Sequence, residues 1–137
     1  MNFSGLPLVY WCVLVAALLP IGSAGIAKWG TFLKPRREGG FDNHHPRTWL
    51  NEQTGFRARA NAAQTNGFEQ LPFFVGAVVA AQQMGGHPRL VALLALAYVV
   101  LRVGFVAAYL GDRASLRSVI WALALLVNIA ILFAGVP

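Results

Sequence analysis

The sequence contains little charge and a single cysteine. Charged residues make up only 12% of its 137 residues, and Cys12 lies inside a long apolar run. One cysteine forms no intramolecular disulfide and no CxxC pair, which excludes thiol oxidoreductases that act through paired cysteines. The adjacent histidines His44 and His45 have neither a cysteine nor a clear set of carboxylates beside them, so we expect no metal site.

Acidic residues are scarce: the chain has five, against eleven lysines and arginines, and a net charge of +6. A basic chain could bind nucleic acid, but this one has no soluble domain to present a groove-reading element, so we expect no nucleic-acid partner. The basic residues instead concentrate in segment 28–47 and at Arg113 and Arg117. The positive-inside rule then places both segments in the cytoplasm and both termini outside.

Apolar residues are abundant, at 57% of the chain, and three nearly uncharged runs cover residues 5–27, 90–111 and 118–137. Each run is close to the roughly 20 residues that cross a bilayer as a helix. The first has no basic residues before it, unlike a secretory signal, so we interpret it as a retained membrane anchor. The run 71–84 is shorter, so it crosses the membrane only if the polar segment before it is also helical.

These runs predict an all-α fold, an integral membrane four-helix bundle formed as one domain over residues 1–137. Segment 34–47 is rich in glycine, proline and charge, which predicts a loop. The predicted helices cover about 6–28, 49–84, 89–111 and 114–134.

The second predicted helix is polar in its first half, where residues 59–74 read RANAAQTNGFEQLPFF. On a helical projection Arg59, Asn66, Glu69 and Gln70 form one broad polar face. Such a face does not contact lipid, so other helices, a second subunit, or water and ligand must enclose it.

Arg102 lies in the middle of the third apolar run. A charge at that depth costs on the order of 3 kcal/mol, so a partner is expected. Counted outward from the GGHP turn at 85–88, Glu69 is about 24 Å deep and Arg102 about 21 Å deep. Two antiparallel neighbouring helices should therefore bring them together, which predicts a Glu69–Arg102 ion pair.

The same count places Tyr109 and Arg117 close to the polar half of the second helix. We therefore predict a pocket near the cytoplasmic side that has more cations than anions and takes an anionic ligand. Its predicted lining is Arg59, Asn66, Glu69, Arg102, Tyr109 and Arg117.

Two polar blocks resemble a known family. The pattern RAxxxxQxNxxExxPxF, from Arg59 to Phe74, resembles the second-helix signature of MAPEG proteins, the membrane-associated proteins of eicosanoid and glutathione metabolism. The block RVGFVAAYLGDRASLRSVIW, at 102–121, resembles the family's third-to-fourth helix segment. The loop FDNHHPR, at 41–47, is similar to a loop of bacterial members, which implies a bacterial inner membrane.

The resemblance implies a homotrimer that binds glutathione between subunits, near the cytoplasmic side. It also implies a transferase or peroxidase whose glutathione thiolate attacks a lipophilic electrophile or reduces a peroxide. A thiol with a pKa of about 8.5 becomes reactive when a positive charge stabilises its anion. The bilayer would supply the apolar substrate.

Several positions match the family's functional residues. Asn66 and Glu69 match its ligand-binding pair, and Arg102 matches the arginine that pairs with that glutamate. Tyr109 matches the tyrosine beside the tripeptide. The resemblance assigns catalytic roles at the thiol to Arg117 and Ser118.

Two positions depart from the family pattern. Ala62 stands where glutathione-using members commonly have arginine, and Phe105 stands where others have histidine or tyrosine. Arg59, one turn away, could replace the missing arginine as a glutathione ligand. A MAPEG-like protein that no longer uses glutathione is therefore an alternative.

Other interpretations also remain open. In a small transport-like four-helix protein, Glu69 would carry a proton or cation, and no arginine would lie at its depth. Glu69 and Arg102 could instead only fix helix register, and Arg117 could be an ordinary positive-inside charge. We interpret Trp121 as a packing or interfacial aromatic.

Overall fold

The structure is a computed structural model that describes residues 2–3 and 5–136. A pair of two-residue antiparallel strands, β1 (Asn2–Phe3) and β2 (Leu6–Pro7), precedes the helices. A 3₁₀ turn at Arg36–Glu38 lies in the first long connection. The helices are α1 (Leu8–Lys28), α2 (Pro46–Asn51), α3 (Gly55–Gln83), α4 (Pro88–Leu110) and α5 (Ala114–Phe133). Helix therefore dominates the described chain, as the composition predicts.

Three helices, α1, α4 and α5, are long and apolar enough to cross a membrane. This supports the prediction of a membrane protein. The 29-residue α3 is long enough but does not meet the same criterion among the described residues, because its first half is polar. Large apolar side chains on α5 such as Val119 and Leu126 are more than half exposed, as expected of a surface that faces lipid.

The four long helices pack around a shared apolar core. Helix α1 contacts α3 and α4, and α5 contacts both α4 and α3. The rings of Phe74 and Tyr98 stack with centroids 4.1 Å apart. Ala77, Ala81 and Ala95 are almost fully buried, and side chains this small let helices in a membrane approach closely.

The predicted second helix, 49–84, is wrong as one continuous element. Helix α2 ends at Asn51 and α3 begins at Gly55, with Thr54 extended between them. Gly55 has φ +58°, a left-handed conformation that only glycine adopts at little cost and that does not continue a right-handed helix. The remaining predicted helix ends agree with the structure within about two residues.

The connection from α1 to α2 is a folded loop. The ring of Phe41 contacts Phe32 and Trp49 edge to face, and the Lys28 ammonium lies 4.5 Å from its centroid. Asp42 pairs with Arg36. Desolvation disfavours the Asp42 carboxylate, but the backbone N–H of His44 and the Arg36 guanidinium outweigh it and lower the pKa of Asp42 below 3.8.

Gly67 lies where α1 and α3 approach closely. A Cβ atom added there would lie 2.9 Å from Cβ of Pro20. We expect Gly67→Ala to lower the free energy of unfolding by on the order of 1–3 kcal/mol, because the helices must separate. The loss should appear even though alanine is the better helix former by about 1 kcal/mol.

Gly76 on the same helix provides the matched control. An added Cβ at Gly76 meets nothing within 4 Å, so Gly76→Ala should leave the protein as stable as wild type or more stable. Thermal unfolding of both variants in detergent measures the difference. Equal stability of the two variants would contradict the tight α1–α3 contact.

Candidate functional site

An open groove of about 200 Å³ lies where α3, α4 and α5 meet. It combines a cation, an amide, a hydroxyl and three aromatic rings. Its lining residues are Asn66, Phe105, Tyr109, Arg117, Ser118 and Trp121. We call it the α3–α5 groove.

Helix α4 supplies an aromatic wall. Phe105 and Tyr109 are four residues apart, so they share one face of the helix. Their ring centroids are 5.4 Å apart at an angle of 75°. Phe105 is buried, whereas Tyr109 is partly exposed. The phenol therefore remains accessible at the groove while the phenylalanine supports it.

The start of α5 supplies the charge of the groove. The Arg117 guanidinium lies 4.3 Å from the ring centroid of Tyr109, a cation–π distance that orients it. It also lies in the first turn of α5, where the helix dipole favours anions. Ser118 donates to the carbonyl of Ala114 at 3.2 Å. Arg117 is therefore the group best placed to stabilise an anion in this groove.

Arg102 acts on the groove through Asn66. Arg102 is only 4% exposed, and its Nη2 donates to Oδ1 of Asn66 at 2.9 Å. Its guanidinium also lies 4.4 Å from the ring centroid of Phe105. Because a guanidinium can only donate, it takes the amide oxygen and leaves the Asn66 NH₂ as a donor for a ligand.

The predicted Glu69–Arg102 ion pair is wrong within one chain. Among the described residues Glu69 makes no ion pair, and its side chain is exposed. The depth estimate was correct to about one helical turn, because Asn66 and Glu69 differ by roughly 4.5 Å along the axis. Asn66 and Glu69 also differ by about 60° in direction around the helix axis. The side of α3 that meets Arg102 carries the amide.

Arg59 lies at the turn between α4 and α5 and does not line the groove. Its Nε donates to the carbonyl of Leu110 at 3.2 Å, and its Nη1 lies 3.6 Å from Oδ2 of Asp112. Asp112 has φ +57°, which is uncommon outside glycine. Arg59 therefore fixes the turn from which α5 and Arg117 begin.

The structure thus brings together Asn66, Tyr109, Arg117 and Ser118, with Arg102 directly behind Asn66. It leaves Arg59 and Glu69 outside the groove lining. Sequence analysis missed Trp121, which was interpreted as a packing residue. The signal was available, because Trp121 is one turn after Arg117 and so shares its face of α5.

Comparison with known proteins gives one match. The sequence model of the MAPEG family matches residues 8–136, which cover α1 to α5. No curated protein and no solved structure matches the chain.

Proposed function

Because this chain belongs to the MAPEG family, we propose that it is a membrane-embedded transferase or peroxidase that uses glutathione against lipophilic electrophiles. The observation that carries the proposal is the α3–α5 groove. It holds the Arg117 cation, the Asn66 amide and the Ser118 hydroxyl together, beside helices apolar enough to span a membrane.

The groove residues fit the chemistry of a thiol-containing anionic peptide. The Arg117 guanidinium would stabilise the glutathione thiolate and lower the pKa of the thiol from about 8.5. The Asn66 NH₂ would donate to a peptide oxygen. In a transfer reaction the thiolate sulfur bonds to an electrophilic carbon and the leaving group departs with the electron pair. In a peroxide reduction the thiolate sulfur attacks one peroxide oxygen, the O–O bond breaks, and the alcohol leaves with the electron pair and takes up a proton. A second glutathione thiolate then attacks the sulfur of the resulting sulfenic acid, which forms the disulfide and releases hydroxide as water.

We propose that the working unit is a homotrimer. The groove alone, at about 200 Å³, is smaller than the roughly 300 Å³ or more of typical ligand sites. Thr65 and Glu69 are exposed on α3, and polar groups on a membrane helix need cover other than lipid. Neighbouring copies would cover this face and enlarge the site. The positive-inside pattern supports a site toward the cytoplasm, and the resemblance of loop 41–47 to a loop of bacterial members supports a bacterial inner membrane.

Titration calorimetry of the detergent-solubilised protein with glutathione tests the ligand. We expect saturable binding that weakens in Arg117→Ala, because the cation is lost. Arg113→Ala is the matched control: Arg113 lies one turn earlier, is exposed and does not line the groove. Folded wild-type protein that binds no glutathione would instead favour a family member that has lost this ligand.

Native mass spectrometry from detergent micelles tests the assembly. We expect a complex of three times the 14.8 kDa chain. A monomer under conditions that preserve glutathione binding would show that the groove is complete within one chain.

Glu69, exposed and without an ion pair in the described chain, favours one alternative, the transport-like protein, in which a free carboxylate carries a proton or cation. Arg102 lies within about a turn of its depth, which disfavours that role. Proton flux into proteoliposomes separates the two functions. The transport function requires flux that is lost in Glu69→Gln, whereas the glutathione function requires none.

A further inference from the structure

A second, much smaller cavity lies among α1, α3 and α4. Its volume is about 10 Å³, which is near the minimum that holds one water molecule and too small for a larger ligand. It does not share lining residues with the α3–α5 groove. Its lining residues are Ala16, Leu19, Pro20, Ala63, Gly67, Leu71, Tyr98, Arg102 and Val106.

One buried donor at this cavity has no partner. Arg102 lines the cavity and is 4% exposed, and its Nη1 makes no hydrogen bond within the described chain. The other terminal nitrogen, Nη2, already donates to Asn66. An unsatisfied buried donor on a charged group is costly, and a hydrocarbon surrounding supplies no solvent to replace the missing acceptor.

One acceptor at this cavity also lacks its usual partner. Pro20 lies inside α1 and has no amide hydrogen, so the helical hydrogen bond to the carbonyl of Ala16 is not formed. Ala16 and Pro20 both line the cavity. A carbonyl that Pro20 leaves without its helical donor and a donor that lacks an acceptor in the described chain therefore belong to residues that line the same small space.

We propose that this cavity holds one ordered water molecule, which accepts a hydrogen bond from Nη1 of Arg102 and donates one to the carbonyl of Ala16. A guanidinium only donates and a carbonyl only accepts, so the bridging group must do both. An anion would satisfy Arg102 but repel the carbonyl oxygen. Water meets both requirements at the available volume.

The water gives Pro20 a role as a positioning residue. The water links the interrupted part of α1 to Arg102, and Arg102 in turn holds the Asn66 amide at the groove. Gly67 keeps the neighbourhood open, because even a Cβ there would press on Pro20. The water site stands on these contacts alone, whatever ligand occupies the groove.

A crystal structure of the full chain in a lipid phase, at a resolution that shows ordered solvent, tests the proposal directly. We expect one solvent peak about 2.7–3.2 Å from both Nη1 of Arg102 and the oxygen of Ala16. In Pro20→Ala the new amide bonds to Ala16, so the peak should disappear or move. Pro72→Ala is the control, because Pro72 is the proline within α3, is exposed and lies outside the cavity lining. It should keep the peak.

An empty cavity in wild type would overturn the proposal, as would Nη1 of Arg102 bonded to a carboxylate or to another subunit. Nuclear magnetic resonance of arginine-¹⁵N-labelled protein gives a second measurement that needs no crystal. We expect cross-relaxation between long-lived water and the Arg102 guanidinium, assigned by its loss in Arg102→Lys. The signal should persist in Pro72→Ala and weaken in Pro20→Ala. An unchanged signal in Pro20→Ala would show that Ala16 does not anchor the water.

Discussion

Arg117→Ala is expected to lower the rate of glutathione-dependent conjugation by on the order of 10²–10³-fold, the usual effect of removing one group that stabilises a reacting anion. The Arg117 guanidinium is the cation in the groove and is oriented over Tyr109. Without it, the pKa of bound glutathione should rise toward about 8.5, so less thiolate is present at neutral pH. Stability should change little, because the side chain is partly exposed and makes no ion pair in the described chain.

The measurement pairs conjugation rates with the pH dependence of thiolate absorbance in the enzyme–glutathione complex. Arg117→Lys should retain part of the effect, because it keeps the charge but loses the planar stack on Tyr109. Arg113→Ala removes the same charge one turn away and should leave both the rate and the thiol pKa unchanged. A rate for Arg117→Ala within about twofold of wild type, with saturating glutathione, would rule out Arg117 as the group that activates the thiol.

Asn66→Ala is expected to lower the free energy of unfolding by on the order of 2–3 kcal/mol, the upper range for a hydrogen bond to a charged group. The Arg102 cation is buried, and Asn66 is the only hydrogen-bond acceptor that the described chain offers it. Removing the amide leaves the buried Arg102 guanidinium without any hydrogen-bond acceptor from the described chain. Asn66→Asp should restore an acceptor and recover most of the loss.

Two further variants separate the cost of leaving the Arg102 charge unpaired from the cost of removing an asparagine side chain from α3. Arg102→Met replaces the cation with an apolar chain of similar length, so it should cost less than Asn66→Ala, because no unpaired charge remains. Asn61→Ala makes the same substitution on α3 at a residue that does not line the groove and makes no hydrogen bond to Arg102 in the described chain. Thermal unfolding in one detergent compares all four variants. If Asn66→Ala were more stable than Arg102→Met, the Asn66–Arg102 hydrogen bond would not be what offsets the charge.

The sequence was informative about position along each helix and less informative about rotation around it. Nearly uncharged runs located α1, α4 and α5, because crossing a bilayer requires a minimum length of apolar helix. Depth counting brought Arg102 to the level of the polar half of α3 because the helical rise is constant. The same counting chose Glu69 as its partner, whereas the structure has Asn66, since packing against neighbouring helices sets the rotation of α3.

The break between α2 and α3 shows a related limit. A polar segment continues through residues 52–54 with no proline to interrupt it, so periodicity alone extends the helix. The extended Thr54 and the left-handed Gly55, the first residue of α3, separate the two helices instead, and glycine permits a left-handed conformation without requiring it. Trp121 was similarly ambiguous, because an aromatic on a membrane helix packs far more often than it lines a site.

The sequence by itself determined a helical membrane protein with cations gathered toward one side and a polar helix among apolar ones, because composition and axial spacing are properties of the chain alone. Only the tertiary structure decided which of those polar groups share a groove. It joined Arg117, Ser118 and Tyr109 to Asn66, tied Arg59 to the α4–α5 turn and left Glu69 exposed. The physical reason is that a side chain's partners depend on how close-packed helices rotate against one another, and that rotation is decided jointly by residues distant in sequence.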